Sequence, residues 1–156
     1  MREPVKTHLP AVSSPLEWAT MADGILYTAQ IPNREDGSIE QGDITAQAEL
    51  TLSNLRRTVQ AAGGTMNDVT QVIVYLPDPA DFQGMNAVYA RSFSKPYPNR
   101  ATIVAQLMVP GARIEILAYA HIGRRTAAKK AAAKTKKSSP KAKARKKTAA
   151  KRSRRR

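Results

Sequence analysis

Cysteine is absent from this chain of 156 residues, so disulfides, thiolate metal ligands and a cysteine nucleophile are excluded. Histidine occurs only as His8 and His121, which argues against a His-rich zinc site. No apolar run approaches the roughly 20 residues that a membrane span needs, and the first ten residues lack the hydrophobic segment of a signal peptide. We therefore expect a soluble cytoplasmic protein without a metal site or a membrane contact.

Acidic residues are missing from the last part of the chain. From Arg124 to the C-terminus there are 17 Lys or Arg and no Asp or Glu, which leaves nine basic against twelve acidic residues before that point. Alanine is the only apolar residue type in this stretch, and its like charges repel one another, so burial cannot offset the entropy of the chain. We predict one compact domain over residues 1–123 and a disordered basic tail over residues 124–156.

The tail, residues 124–156, resembles the terminal tails of linker histones. Such a segment binds polyanions by releasing counterions, with little sequence preference, and this one has no aromatic residue to stack on bases. We expect non-specific binding of DNA or RNA, and with it association with the nucleoid. The alternative is a tag for solubility or localisation alone. The side chains expected to contact phosphates are Lys129, Lys130, Lys134, Lys136, Lys137, Lys141, Lys143, Arg145, Lys146, Lys147, Lys151 and Arg152.

Two amphipathic helices are predicted within the domain. The first follows Asp43 as N-cap and stops at Gly63-Gly64. The second follows Asp78-Pro79 and ends before Pro96. In both, apolar residues recur every three or four positions. They are Ile44, Ala48, Leu52, Leu55, Val59 and Ala62 in the first helix, and Phe82, Met85, Tyr89 and Phe93 in the second.

Strands are predicted at "ILYTAQIP", at "VTQVIVYL" and in two shorter segments near "VKTHL" and "EWATM". The last two strands, "ATIVAQLMV" and "ARIEILAYAHI", are predicted to pair as a hairpin through Pro110-Gly111. That register puts Ala101, Ile103, Ala105, Leu107, Ile114, Ile116, Ala118 and Ala120 on a face that packs on the helices. The opposite, partly polar face then carries Arg100, Thr102, Val104, Gln106, Arg113, Glu115, Leu117, Tyr119 and His121, and is predicted to be a subunit interface.

Arg100 stands at the start of a strand that otherwise looks buried, so it needs either water or an anion. In the predicted hairpin, Arg100 and Glu115 lie about 20 Å apart along the strands. They could share a site only if a neighbouring copy supplied one of them. The simpler interpretations are a surface charge for Arg100, and for Glu115 a pairing with Arg113 or Gln106.

Several motifs together identify a family. "AQIP", "VTQVIVYLPDPADFQGMNAVYARSF", "PNRATIVAQL" and "IEILAYA" occur in this order, and they resemble the RidA (YjgF-type) family of enamine/imine deaminases. The resemblance implies an α+β, chorismate-mutase-like fold in which a six-stranded sheet has two helices packed on one face. It also implies a homotrimer with its sites between subunits, and hydrolysis of 2-imino or 2-enamino acids to 2-keto acids and ammonium, without a cofactor.

The same resemblance points to four site residues. Arg100, in "PNR", matches the arginine that binds the substrate carboxylate, and Asn86 matches the asparagine of the second helix. Glu115 matches the acidic residue of the last strand, expected to activate water, and Thr28 matches a serine that holds the water or the substrate nitrogen. Leu16 stands where the family has a tyrosine.

Two other functions stay open at this point. The domain could bind a small carboxylate without turning it over, while the tail holds it on nucleic acid. It could also cleave RNA, an activity ascribed to some relatives, although two isolated histidines are a poor basis for acid–base cleavage.

Overall fold

The computed structural model describes residues 1–122 as a six-stranded sheet with two helices on one face. Across the sheet the strands run in the order β1-β2-β3-β6-β4-β5, and every neighbouring pair is antiparallel except β4 and β5. The strands are β1 (Glu3–Pro4), β2 (Ala19–Ala22), β3 (Ile25–Gln30), β4 (Val69–Leu76), β5 (Asn99–Val104) and β6 (Glu115–His121). The predicted α+β class and architecture are confirmed.

The first helix begins where the sequence predicts, and the second is preceded by a 3-10 turn at the predicted start. Helix α1 (Ile44–Ala61) is capped by Asp43, whose carboxylate accepts a hydrogen bond from the Ala46 N–H at 2.9 Å. It ends ahead of Gly63, whose φ of +85° suits glycine. Asp78 caps a short 3-10 turn, Pro79–Asp81, that leads directly into α2 (Phe82–Ser92).

The core lies between the helices and one face of the sheet. Along β4 and β6, alternate residues are buried because successive side chains of a strand point to opposite faces. The largest fully buried side chains include Leu26, Leu55, Leu76, Met85, Ile114, Ile116, Val59, Val72, Val74 and Val88. Most of the predicted stripe of α1 is among the core residues, and Ala62 packs partly buried against them.

The predicted hairpin between the last two strands is wrong. β5 lies at the sheet edge, parallel to β4, while β6 lies between β3 and β4. The reason is α2, because a strand–helix–strand connection places its two strands side by side and parallel. Pro110-Gly111 does form a turn, with Gly111 at φ +81°, but this turn belongs to a longer connection that crosses to the centre of the sheet.

The two faces are corrected accordingly. In β6, Ile116, Ala118 and Ala120 are buried as predicted. In β5 the assignment is inverted, because Arg100 pairs with the buried Val72 and so points to the helix side. Ala101 and Ile103 instead lie on the open face, where the half-exposed side chains include Tyr27, Ile73, Tyr75, Leu117 and Tyr119.

Candidate functional site

Helix α2 presents three side chains to Arg100. Phe82, Asn86 and Tyr89 follow one another at spacings of four and three residues, so they lie on one face of the helix. Arg100 is the second residue of the edge strand β5. Since it points to the helix side of the sheet, its guanidinium meets this face of α2.

The guanidinium of Arg100 is held by an amide and two rings. Its Nη2 donates a hydrogen bond to Oδ1 of Asn86 at 2.8 Å. Its central carbon lies 4.5 Å from the ring centroid of Tyr89 and 5.8 Å from that of Phe82. Aromatic rings attract a guanidinium and fix the orientation of its plane. Because arginine has five N–H donors, this arrangement leaves several for a ligand.

A cavity of about 370 Å³ opens beside this group. Its walls are formed by Asn86, Tyr89, Ala90, Tyr97, Pro98 and Arg100. A volume of this size is in the range of small-molecule sites, which are mostly apolar with a few convergent polar groups. The cavity can therefore receive a small ligand whose charged end meets Arg100.

Arg100 differs from four other arginines of the domain, which are paired with acids. Four arginines form ion pairs with acids: Arg34 with Glu40, Arg57 with Glu35, Arg91 with Glu49 and Arg113 with Asp81. Within residues 1–122, no acid lies at ion-pair distance from Arg100, although its residue is partly buried. A partly desolvated guanidinium with neutral partners favours an anion, and a planar carboxylate matches its fork.

Tyr89 is buried behind the guanidinium. The residue is 5% exposed, and its ring packs on Phe93 with the centroids 4.6 Å apart. Burial raises the pKa of Tyr89 to about 12, although the charge of Arg100 opposes the shift. Its hydroxyl is buried and has no hydrogen-bond partner among the described residues. The phenol is therefore neutral at physiological pH, and its ring supports Arg100.

Glu115 lies in a second cavity, on the open face of the sheet. It is the first residue of β6, and it lines a space of about 480 Å³ together with Leu16, Trp18 and Met108. Burial raises the pKa of its carboxyl above the ordinary 4.5. The side-chain carboxyl of Glu115 has no hydrogen bond or ion pair to another residue of the part that the structure describes, and Arg113 pairs with Asp81 instead. A carboxylate with a raised pKa suits proton transfer near neutral pH.

One chain does not bring Arg100 and Glu115 together. Arg100 pairs with Val72 of β4, whereas Glu115 pairs with Tyr75, three residues further along and on the opposite face. Each chain thus carries two separate groups of candidate site residues. We call the group around Arg100 the arginine cavity and the group around Glu115 the glutamate cavity.

The hydroxyl of Thr28 faces neither the arginine cavity nor the glutamate cavity. The residue is 7% exposed and points toward the helices. Its hydroxyl donates to the carbonyl of Trp18 at 2.7 Å and accepts from Nε2 of Gln30 at 2.7 Å. These bonds hold the segment that carries Trp18 against β3. The role of Thr28 with water stays a prediction from the resemblance.

Sequence reasoning missed the aromatic support of Arg100. Phe82 and Tyr89 appear in the sequence as members of an apolar helical stripe, which is most often core. The available signal was the spacing of Phe82, Asn86 and Tyr89, because the same stripe carries the asparagine assigned to the site. The contact between these rings and Arg100 depends on the parallel pairing of β5 with β4. The predicted hairpin excluded that pairing, so it could not show the contact.

Three further predictions concern a metal site, a membrane helix and the phosphate contacts of the tail. Within residues 1–122, no group of three or more His, Asp or Glu side chains is arranged to hold a metal ion. Neither helix of this part is both long and apolar enough to cross a membrane. The predicted phosphate contacts, from Lys129 to Arg152, lie outside the described residues.

Residues 7–122 match the family model described as Endoribonuclease L-PSP, and the chain belongs to this family. Solved structures agree with that assignment. RidA from an Antarctic Psychrobacter species is 29% identical, with a TM-score of 0.72, and the match covers 77% of this chain and 99% of RidA. The resemblance inferred from the motifs is confirmed for the domain.

Two other solved structures are similar to the same extent. TdcF from E. coli, solved with bound serine, is 28% identical with a TM-score of 0.70, over 76% of this chain and 98% of TdcF. YyfA from Yersinia pestis, a Rid-family protein of unknown function, is 26% identical with a TM-score of 0.74, over 78% of this chain and 100% of YyfA. All three matches concern the folded domain and include nearly the whole of the relative.

Proposed function

We propose that this protein hydrolyses 2-imino acids and their 2-enamino tautomers to 2-keto acids and ammonium. The observation that carries the proposal is Arg100, a partly buried guanidinium that is fixed by Asn86 and Tyr89 and that has no ion-pair partner among residues 1–122. Family membership supports the same conclusion. The relative TdcF was solved with bound serine, a small molecule that carries a carboxylate, and this supports a ligand of that class.

The substrate carboxylate binds the fork of Arg100 through two parallel hydrogen bonds. This contact fixes the position of the adjacent C=N carbon and so converts attack by water into an oriented, effectively unimolecular step. Asn86 and Tyr89 contribute by preventing rotation of the guanidinium. A protonated imine is already a strong electrophile, so the chemistry needs no cofactor.

Glu115 serves as the general base. It takes a proton from the attacking water as the oxygen bonds to the C=N carbon, which gives a tetrahedral carbinolamine. The same carboxyl returns the proton to nitrogen and then accepts the hydroxyl proton of the carbinolamine as the C–N bond breaks, so that the carbonyl forms and ammonia leaves. That hydroxyl proton converts ammonia to ammonium. One water is consumed for each imine, and a 2-keto acid and ammonium are released.

Completion of the site requires a second copy of the chain. Because the arginine and glutamate cavities lie on opposite faces of the sheet in one chain, the carboxylate site of one subunit has to meet Glu115 of its neighbour. A homotrimer supplies three such junctions with one repeated interface. The half-exposed apolar side chains of the open face, including Ile73 and Leu117, are suited to this interface.

A coupled assay tests the function. An amino-acid oxidase generates the 2-imino acid in place, and release of the 2-keto acid is followed with wild type, Arg100→Ala and Glu115→Gln. Of these three proteins, we expect only the wild type to accelerate the reaction, and the control variant named next is expected to match it. Arg91→Ala is the matched control, because Arg91 lies on the exposed side of α2 and pairs with Glu49. Equal rates with wild type and Arg100→Ala would exclude the proposed reaction at this site.

The same assay separates two other functions. Binding of a 2-keto acid that depends on Arg100, without any turnover, would identify a carboxylate-binding module instead. RNA cleavage is the second candidate, because the family description names an endoribonuclease. Its basis in the described residues is weak, since His8 bonds to Asn54 on the helix side and His121 lies in β6 on the open face. RNA degradation that is lost with the tail but survives Arg100→Ala would favour it.

For residues 124–156 we propose non-specific binding of DNA or RNA. The support is their composition, with 17 Lys or Arg and no acid, against a domain that carries a net negative charge. Filter binding of full-length protein and of a chain ending at Ile122 tests this. We expect affinity only with the full chain, falling steeply between about 50 and 200 mM salt. Equal affinity of the two chains would assign any nucleic-acid binding to the domain.

A further inference from the structure

The glutamate cavity is lined mainly by apolar residues, although two residues with carboxyl groups, Glu17 and Glu115, belong to its lining. Its polar residues besides Glu115 are Ser14, Glu17 and Asn33. The remaining lining residues, apart from Gly37, are Val12, Leu16, Trp18, Ala29, Ile31, Ile39, Met108 and Val109. With a volume of about 480 Å³, the space exceeds what the reacting atoms of a small imine need.

Several of these apolar side chains are exposed. Leu16 is 51% exposed, Val12 39% and Met108 94%. They come from separate segments, ahead of β2 and after β5, yet they line the same space as Glu115. Exposed apolar groups that converge on one cavity indicate an apolar occupant.

The wall of this cavity is held in place by specific bonds. The indole N–H of Trp18 donates to the carbonyl of Pro10 at 2.8 Å. The carbonyl of Trp18 accepts from the hydroxyl of Thr28 at 2.7 Å. Both ends of this residue are thus fixed, so the segment that carries Leu16 is attached to the sheet next to Glu115.

We propose that the preferred substrates are 2-imino acids with long or branched apolar side chains, which lie against Leu16 and Met108. This inference rests on the proposed function. With the carboxylate on Arg100 and the C=N carbon at Glu115, the substituent of that carbon enters the glutamate cavity. Each methylene that leaves water for this surface strengthens binding in the transition state.

A homologous series of imines tests the preference. An amino-acid oxidase produces them from alanine, 2-aminobutyrate, norvaline and norleucine, which differ by one methylene each. We expect kcat/KM to rise about fourfold per methylene, the factor for complete burial of one CH₂. O-methylserine, an isostere of norvaline with an ether oxygen, serves as the polar control and is expected to react more slowly than norvaline.

A variant links the trend to the cavity. Leu16→Ser is expected to lower kcat/KM for the norleucine-derived imine about tenfold, from loss of half a leucine side chain's burial. The value for the alanine-derived imine is expected to fall much less, because its methyl group has little apolar surface to bury. Val104→Ser is the matched control, because Val104 is 60% exposed and lies outside the cavity. Calorimetry with pyruvate and 2-oxohexanoate, the products of the shortest and longest imines, compares the affinity for a short and a long side chain without turnover.

The outcomes are distinguishable. No turnover of any imine would overturn the proposed function, and the size preference with it. Turnover that is constant or falls along the series would overturn the preference alone. A constant series together with dissociation of the Leu16→Ser protein into monomers would show that a second copy, and not a substrate, covers these side chains.

Discussion

Arg113 and Arg100 contact adjacent positions of the chain at the start of α2, yet their environments are opposite. Arg113 binds the carboxylate of Asp81 with two hydrogen bonds, and Asp81 is 3% exposed. Arg100 contacts Phe82, the next residue, and its partners within residues 1–122 are two aromatic rings and an amide. The first arginine completes an ion pair within the fold, whereas the second is fixed but not neutralised. A charge that the fold positions without a counter-charge is available for a ligand.

The largest expected effect comes from removing the unpaired charge. Arg100→Ala is expected to lower kcat/KM for imine hydrolysis about 100- to 1000-fold, because two charge-assisted hydrogen bonds to the carboxylate are lost. Stability is expected to change by less than about 1 kcal/mol, since no ion pair is broken. Steady-state kinetics and urea unfolding of the same preparation measure both. A large loss of stability would mean that Arg100 is structural.

Arg113→Ala is expected to give the opposite result. It leaves the buried carboxylate of Asp81 without its partner, which costs about 2 kcal/mol of unfolding free energy once the exposure of Arg113 is allowed for. Urea unfolding at neutral pH measures the loss. Activity per folded molecule is expected to stay near wild type. If this variant lost activity while remaining as stable as wild type, the distinction between the two arginines would fail.

Variants of Tyr89 distinguish two roles for this residue, which are support of the Arg100 guanidinium and direct contact with the substrate. Tyr89→Leu removes the ring face from the guanidinium and is expected to raise KM about fivefold, the size of a partly desolvated cation–π contact. Tyr89→Phe keeps the ring, so its KM is expected to match wild type. Because the lost hydroxyl has no partner in the described part of the chain, Tyr89→Phe is also expected to be at least as stable as wild type.

The two variants of Tyr89 are compared through KM and kcat separately. A positioning role alters KM for substrates with a carboxylate and leaves the folded fraction in the assay unchanged. Loss of activity in Tyr89→Phe equal to that in Tyr89→Leu would show that the hydroxyl, and not the ring, is required.

Much of this arrangement was accessible from sequence. The stripe of α1, its cap at Asp43 and the strand Val69–Leu76 follow from local periodicity and turn chemistry, and all three are confirmed. The pairing of β5 and β6 was predicted wrongly because the turn at Pro110-Gly111 is a strong local signal. Strand order depends instead on how α2 packs and on which strand lies between two others in the sheet. A short stretch of sequence specifies neither.

The site residues illustrate the same limit. Motifs singled out Arg100, Asn86 and Glu115, and the structure brings the first two together. It could not be foreseen from spacing that Arg113 would pair with Asp81, 32 residues away in the chain, because such contacts arise only when distant elements pack. The contact of the Tyr89 ring with Arg100 could not be predicted from the sequence for the same reason.

Glu115 is the acidic counterpart of Arg100, because its carboxyl group has no basic partner within residues 1–122. The change in stability expected from its substitution is the smallest of those predicted. Burial holds its pKa above 4.5 in the folded chain, whereas the unfolded chain keeps the ordinary value. The folded state therefore binds this proton more tightly, so Glu115 lowers stability as the pH rises from about 4.5 through the folded-state pKa. Glu115→Gln is expected to be slightly more stable than wild type at pH 7 and equal to it below pH 4. Urea unfolding at both pH values measures the difference, and wild-type kcat/KM should fall on acidification at a pH above 4.5. If Glu115→Gln were instead less stable than wild type at pH 7, with the difference lost on acidification, Glu115 would be paired as Asp81 is and not free to act as a base.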